Sequence, residues 1–421
     1  MRPSFANGLF MTLARWSLDP DNKDDAENFS RSGESLRSRG AGAIVIGGDC
    51  GALGVVRSLG RAGVPTFFLS GRNRLASYSR YTTRHLKWPG SDHPNAVAWL
   101  IDIAAQHGLT GWTLFPGADE EVRLIAKNYD ELNATYRLCT PAWETTKWFA
   151  DKALSYRLAG ELGIDYPKTY NISDARQLDA CDFQFPLILK PAIKEGLNAL
   201  TRAKVWRVGD RKALSDVFEK AISMAGSGGL IVQELVPGDG SGQFSYAAVC
   251  QDGRPVVSLV ARRLRQAPAD FGTGTFVETV ENKAVEEKAE RLLHEIGYNG
   301  TVEMEFKRDS RDGTLKLLDI NPRIWTWTSI GDVAGANFPL AMWLLSQGVV
   351  PPRVHARPGA HWTYLSRDIL QVCKQILAGT LSPAQYLRSL FGTTAFAAFA
   401  ADDPLPAFVD FPLALQRYFG R

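Results

Sequence analysis

The sequence predicts a mixed α/β and α+β protein. An open, mainly parallel sheet comes first, an α+β unit on antiparallel strands follows, and a helical tail ends the chain. Three observations carry this. Short, mainly apolar strands at Ala43–Ile46 and 112–116 each run into a helix start, as strands buried on both faces do. Later strands are joined by short turns at 251–254 and Asp312-Gly313, which suits antiparallel pairing. After Arg323 a Trp-rich, helical stretch runs to the end. The 421 residues have room for about two to four domains. The pattern divides them into an extension over 1–40, an open-sheet domain over 41–140, an antiparallel unit beginning near 141 and a tail after Arg323.

Residues 1–40 hold an apolar patch interrupted by Arg15, then a polar stretch rich in Ser, Asp and Arg, without a small-residue cleavage site. They read as an uncleaved, disordered extension rather than a signal peptide. Ala43–Ile46 enters GGDCGALG (47–54), a helix over 55–62 is stopped by Gly63, and Thr66–Leu69 is the next strand, a βαβ opening. The glycines follow GGxxGxxG rather than GxGxxG, and no acid stands about 20 residues on, where a ribose would be held. Close packing of strand and helix is therefore favoured over dinucleotide binding, while the helix N-terminus stays open to a small substrate. Residues 112–116 (WTLFP) form a buried strand, and a helix with acids in its first turn follows.

The second unit opens with Asp151 capping a helix whose stripe is Leu154, Leu158 and Leu162, ended by Gly163 with Pro167 beyond. Residues 185–191 (FPLILKP) are an apolar strand ending in Lys190, whose charge needs water or an anion there. Residues 230–236 (LIVQELV), 244–249 and 256–264 are further strands. Residues 284–296 form an amphipathic helix with Ala289, Leu292, Leu293 and Ile296 inward and Gly297 at its end.

Composition excludes several classes. Hydrophobic residues make up 45% and charged residues 22%, ordinary for a globular protein. A net charge of +3 without a basic block argues against nucleic acid as a partner. No apolar run reaches the ~18 residues of a membrane span. Cys50, Cys139, Cys181, Cys250 and Cys373 are scattered, with no CxxC or Cys/His spacing. That speaks against a disulfide framework and zinc, and for a reducing cytoplasm.

The most informative stretch is 301–323, TVEMEFKRDSRDGTLKLLDINPR. Thr301, Glu303, Glu305 and Lys307 alternate with Val302, Met304 and Phe306, the period of a strand with one buried face. In the returning strand, Leu315–Asn321, Asp319 and Asn321 share a face. A turn centred near 312–313 brings Glu305 opposite Asp319, within a residue of register. Opposed carboxylates repel unless a cation lies between them, and Mg²⁺ takes such hard oxygen ligands. The competing reading is a solvated hairpin with its charges in water.

The ordered signals are Asp151-Lys152, Lys190-Pro191, Gln233-Glu234-Leu235-Val236, Arg262-Arg263, the Glu305/Asp319 pair and Asn321-Pro322-Arg323. Over about residues 41–345 their order and spacing resemble the ATP-grasp superfamily. That superfamily includes biotin carboxylase, carbamoyl phosphate synthetase and D-alanine–D-alanine ligase. Within it the chain looks most like the single-chain carboxylate–amine ligase type. EFK…LLDINPR matches the family's E-F…(E/D)-x-N-P-R hairpin most specifically, with Asp319 where Glu is commoner and the ligand chemistry unchanged.

The resemblance implies a pre-ATP-grasp, Rossmann-like domain over 41–140. It implies a two-lobed ATP-grasp unit over 141–345, its lid lobe at about 150–235, and a helical C-terminal segment over 346–421. Lys152 and Lys190 would contact the phosphates of ATP, although an exposed first-turn lysine is an equal reading of Lys152. Gln233, Glu234 and Val236 would read adenine, through the Glu234 carbonyl and the Val236 amide, so their side chains need not be special. Residues 193–201 would be the phosphate-covering loop, and Gln243 would meet the ribose. Glu305, Asp319 and Asn321 would ligate Mg²⁺ (or Mn²⁺), with Glu303 on the same face. Arg263 and Arg323 would hold an acyl-phosphate, unless Arg263 lies with Arg262 and Arg265 on a solvated edge. Trp325, Trp327 and His361 read as core, pocket wall or structure.

The function implied is ATP-dependent ligation of a small-molecule carboxylate to an amine (or thiol), without a membrane or nucleic acid and with a homodimer left open. Two other classes remain: a catalytically silent ATP-binding module, and an NAD(P)-dependent oxidoreductase using residues 47–54.

Overall fold

The computed structural model describes residues 40–71, 74–191, 198–200, 205–225, 229–268 and 271–419. The extension expected over 1–40, apart from Gly40, and most of the loop expected over 193–201 lie outside them.

Alternating apolar strands and helices build a parallel sheet first. Its strands are β1 (Ala43–Ile46), β2 (Thr66–Leu69), β3 (Thr82–Leu86), β4 (Thr113–Pro116) and β5 (Arg137–Leu138), ordered β3-β2-β1-β4-β5. The longer helices that accompany them are α1 (Cys50–Arg61), α2 (Ala96–His107) and α3 (Asp119–Lys127). Every residue of β1 is buried, as expected of a central parallel strand covered on both faces. The order reverses between β1 and β4, the edge where α/β sheets bind ligands. There the loops after the two strands touch, and a Cβ on Gly117 would lie 2.7 Å from the Gly48 nitrogen.

Helix α1 begins at Cys50 rather than at residue 55, a correction with a physical cause. Gly51 and Gly54 lie inside the helix, and a Cβ on them would stand 2.7 Å from the Trp325 carbonyl oxygen and 2.8 Å from Thr328 Cγ2. These glycines permit a close approach, though of helix to a distant loop rather than of helix to strand.

Helix α4 (Lys152–Glu161) is capped as expected, with the Asp151 carboxylate accepting from Ala153 N at 2.8 Å. A second sheet, ordered β6-β9-β7-β8, consists of β6 (Thr169–Ile172), β7 (Leu187–Pro191), β8 (Trp206–Val208) and β9 (Leu230–Glu234). All its pairs are antiparallel. Helix α5 (Arg211–Met224) packs on it through Leu214, Phe218 and Ala221.

The third sheet is the largest, ordered β14-β13-β10-β11-β12-β16-β17, with β15 beside β11. Its long strands are β10 (Gln243–Gln251), β11 (Arg254–Ala267), β12 (Thr273–Val280), β13 (Gly300–Arg308) and β14 (Leu315–Asn321). Helix α6 (Lys283–Ile296) covers one face, where Val302, Met304 and Phe306 meet Leu292 and Leu293. On the other face, Ala247 and Val249 share a core with α1 and with α7 (Phe338–Ser346). Glu303 and Glu305 pair with Ala247 and Ser245 and so stand on that second face.

The tail corrects the expectation of an all-helical end. β15 (Val354–His355), β16 (His361–Thr363) and β17 (Ala395–Phe396) join the large sheet among α8 (Leu365–Leu377), α9 (Pro383–Phe391) and α10 (Leu405–Phe419). Strands of two or three residues are too short to show a period, and pairing decides them: β15 joins β11, β16 joins the open edge of β12, and β17 joins β16. The tail is fastened to the parallel-sheet unit by a buried pair, Arg57 Nε to Asp403 Oδ2 at 2.9 Å, with Ser79 Oγ donating to the same oxygen at 2.7 Å. Among the described residues no helix is long and apolar enough to cross a membrane.

Candidate active site

A cleft of about 840 Å³ lies where the four-stranded sheet, the large sheet and α3 converge. Every residue assigned from the sequence lines it: Lys152, Lys190, Gln233, Glu234, Val236, Gln243, Arg263, Glu305, Asp319, Asn321 and Arg323.

The hairpin supplies its floor. Glu305 pairs with Asp319 and Glu303 with Asn321, and a bulge beyond Glu305 leaves Leu318 without an opposite residue. The connection is a loop over 309–314, closed by Asp309 N to Thr314 O at 2.8 Å and Gly313 N to Asp309 O at 2.8 Å. This replaces the two-residue turn expected at 312–313. The pairing itself falls within the register allowed for.

Cations within the chain meet the two carboxylates. Arg263 Nη2 lies 2.7 Å from Glu305 Oε1, and Gln243 Nε2 donates to Glu305 Oε2 at 3.0 Å. Lys152 Nζ donates to Asp319 Oδ1. Burial opposes the charge on each partner of that pair. The attraction outweighs it, holding Lys152 above its usual range and, with the charges of Lys152 and Lys190, Asp319 below its own. Lys152 thus turns into the cleft and is no ordinary exposed lysine. Nor is Arg263 at a solvated edge. β11 has β10 and β12 on either side, Arg263 is buried, and Arg262 and Arg265 pair elsewhere with Glu278 and Asp368.

Lys190 is buried and donates to the Tyr156 hydroxyl at 2.9 Å. Burial first, and then the charge of Lys152, lowers its ammonium to about 7. Tyr156 donates in turn to the Leu318 carbonyl at 2.7 Å, tying the lysine to the bulge of the hairpin. Sequence reasoning missed this residue, yet a signal existed: Tyr156 follows Lys152 by four positions on one helix face.

Glu234 corrects the expectation that its side chain need not be special. The buried carboxylate meets Lys316 Nζ at 2.5 Å and Arg311 Nη2 at 2.9 Å, and accepts from Lys168 N at 3.0 Å. Buried Asp309 contacts the same two cations. Lys307 Nζ donates to the Val236 carbonyl at 2.9 Å, and Gln233 Nε2 donates to Thr169 Oγ1 at 2.7 Å. The exit of β9 is therefore held by the hairpin.

At the far end Arg323 donates to Asp119 Oδ1 at 2.5 Å and to Asn321 Oδ1 at 3.1 Å. Asp119 and Arg123, on the first turn and a half of α3, line the cleft. They too were missed, although acids opening a helix after a parallel strand are a legible signal. Glu303 is buried, its Oε1 has no hydrogen-bond partner among the described residues, and burial and then the Glu305 charge push its carboxyl up to about 7. Trp325 and Trp327 are buried, 5.4 Å apart between ring centroids, and Trp327 walls the cleft. His361 stacks on Phe276 at 5.6 Å.

The donor set suits a hard divalent cation with part of its shell supplied from outside. Of the polar groups lining the cleft, the hairpin's Glu305, Asp319 and Asn321 offer two carboxylates and one amide, and among the described residues no group of three His, Cys, Asp or Glu side chains stands at metal-holding spacing. Mg²⁺ ordinarily completes so sparse a set with phosphate oxygens and water. Two lysines and two arginines around it suit phosphate and carboxylate groups.

Residues 229–367 match a family described as "ATP-grasp in the biosynthetic pathway with Ter operon". The chain is similar to a D-aspartate ligase of Enterococcus faecium, 23% identical over 343 residues, covering 76% of this chain and 78% of the relative. It superposes on an L-amino acid ligase from Bacillus licheniformis with a TM-score of 0.56 at 15% identity, over 76% of this chain and 78% of the other. The biotin carboxylase domain of Hydrogenobacter thermophilus 2-oxoglutarate carboxylase, a dimer solved with MgADP, gives 0.59 at 15% identity over 76% and 73%. With its parallel sheet, two antiparallel sheets and a cleft between them, the chain has the fold of these proteins, and its residues 229–367 are those matched by the ATP-grasp family.

Proposed function

We propose that this chain is an ATP- and Mg²⁺-dependent ligase that activates a small-molecule carboxylate as an acyl-phosphate and joins it to an amine. The observation that carries the reading is the Glu305/Asp319 pair, directly opposed and flanked by Lys152 and Arg263. The similar ligases named above support it, as does the related domain solved with MgADP.

In this reading a carboxylate oxygen of the substrate attacks the γ-phosphorus. The bond from phosphorus to the β–γ bridging oxygen breaks, and ADP leaves. The amine nitrogen then attacks the acyl carbon, the carbon–oxygen bond to phosphate breaks, and nitrogen gives up a proton. Positioning and charge do most of the work in phosphoryl transfer. Lys152 and Lys190 hold the phosphates, while Gln233, Glu234 and Val236 seat the adenine and Gln243 the ribose. Glu305, Asp319 and Asn321 would hold Mg²⁺ (or Mn²⁺), which supplies charge neutralisation along the phosphates. Arg263 and Arg323 hold the acyl-phosphate by bidentate contact. Closing the lid lobe, about 150–235, against the rest of a unit spanning 141–345 excludes water that would hydrolyse the acyl group. The pre-ATP-grasp domain, 41–140, contributes Asp119 and Arg123 at the substrate end. Five free cysteines fit a reducing cytoplasm.

The test is ADP release from Mg-ATP with pooled carboxylates and amines, beginning with amino acids. Turnover that needs both organic substrates supports the ligase, whereas nucleotide binding without turnover marks a silent ATP-binding module. Asp319→Ala and Lys190→Ala with unchanged turnover and ATP affinity would sink the site assignment.

A further inference from the structure

Two hydrophobic cores flank the cleft. Leu187 and Leu189 of β7 pack with Leu214 and Phe218 of α5, so Lys190, the next residue of β7, is carried by the four-stranded sheet. Helix α4 belongs to the other core: its Leu158 and Ala159 share it with Leu315, Leu317 and Ile320 of β14. The Tyr156 hydroxyl stands where the two bodies meet. It accepts from Lys190 Nζ at 2.9 Å and donates to the Leu318 carbonyl at 2.7 Å. The bulge in the hairpin leaves Leu318 without an opposite residue, and a bulge re-aims such a residue out of the ladder. Leu318 directly precedes Asp319, so the lysine is tied one residue away from a carboxylate proposed to hold the metal. The Tyr156 ring is buried and stacks on Tyr166, 5.3 Å apart between centroids at an interplanar angle of 11°. That packing fixes the direction of the hydroxyl.

We propose, on the reading of Lys190 as a phosphate-holding residue, that Tyr156 is a positioning residue whose hydroxyl sets where Lys190 meets the phosphates of ATP. A lysine needs such a guide, because its stem is flexible and its ammonium is a point charge without a preferred direction. The charged groups around Lys190 pull it elsewhere. Lys152 of α4 repels it, while Asp319 of β14 and Glu305 of β13 attract it. Unguided, the ammonium is drawn onto the carboxylates that a metal ion would use. The phenol supplies an uncharged acceptor that does not compete with phosphate. Its one proton is committed to Leu318, so it turns a lone pair to the lysine.

Calorimetric titration of the full chain with Mg-ATP tests this without requiring the second substrate. Tyr156→Phe keeps the ring and its stacking and removes only the hydroxyl. It should weaken ATP binding about tenfold, near the low end of what one hydrogen bond to a charged group is worth. Lys190→Met should weaken binding at least as much. The double variant should bind no more weakly than Lys190→Met alone, because the hydroxyl acts through the lysine. Tyr136→Phe is the control: it too removes a buried hydroxyl, one that donates to the Leu100 carbonyl in the parallel-sheet unit, and it should leave ATP binding unchanged. Wild-type affinity in Tyr156→Phe overturns the proposal, as do losses that add in the double variant or an equal loss in Tyr136→Phe. Wild-type affinity in Lys190→Met overturns the phosphate-holding reading itself, and the role of Tyr156 with it.

Discussion

The Arg263 guanidinium lies 2.7 Å from Glu305, and both stand on the cleft face of the large sheet. Without this cation, and without Lys152 beside Asp319, two carboxylates paired across a ladder would repel. In the proposed reaction the same carboxylates serve a divalent cation. Glu305→Gln and Asp319→Asn should each lower kcat by about 10²–10³, the usual cost of removing one preorganised electrostatic group. Chelation of Mg²⁺ should abolish turnover of the wild type. Steady-state ADP release, with a thermal scan to show that the fold persists, checks both.

Lys190 gives a pH dependence. Its ammonium is lowered to about 7 in the folded chain, against an ordinary value of 10.5. Between those values the unfolded chain binds the extra proton, so this residue makes stability rise with pH from about 7 toward 10.5. Lys190→Met should flatten that part of the pH–stability curve. Phosphate groups favour the charged form, so ATP binding at pH 8 should take up a proton. Calorimetry in buffers of different ionisation enthalpy reads the uptake, and the variant should lose it.

Glu234 couples the exit of β9 to the hairpin through Lys316 and Arg311. Glu234→Ala leaves Lys316 and Arg311 with Asp309 as their one shared carboxylate and frees the strand end proposed to seat adenine. Breaking a buried pair costs about 3–5 kcal/mol. The expected result is a lower melting temperature and a raised KM for ATP, with kcat less affected. Denaturation and kinetics together measure it.

Gly51 has no room for a side chain. A Cβ would lie 2.7 Å from the Trp325 carbonyl oxygen, a rigid backbone atom two residues past Arg323. Gly51→Ala should cost about 1–3 kcal/mol of stability and displace the segment after β14. An activity loss larger than that of Gly209→Ala, where a Cβ meets nothing within 4 Å and φ is not positive, would locate the effect in the close approach.

Asp403 neutralises Arg57 inside the protein. Asp403→Ala strands a buried guanidinium and should destabilise by about 3–5 kcal/mol, loosening the tail from the parallel-sheet unit. Urea denaturation monitored at the tryptophans checks the size. Arg57→Met with Asp403→Leu should recover most of the loss.

The sequence by itself determined what depends on local period and on chemistry close in the chain. Alternation in 301–323 put Glu303 and Glu305 on one face and Asp319 and Asn321 on another, and the turn signal brought the two faces together to within a residue. The cap at Asp151 and the strand ending at Lys190 were equally local. The tertiary structure decided contacts between residues far apart, for which no period exists. Lys152 meets Asp319 across 167 positions, Arg57 meets Asp403 across 346, and Glu234 meets Lys316 across 82. Long-range electrostatics and close packing select those partners after the sheets have formed. The same cause placed α1 against the loop at Trp325 and recruited β15, β16 and β17 to the large sheet. In each case an open sheet edge or a helix face accepted a segment whose own residues were too few or too plain to announce it.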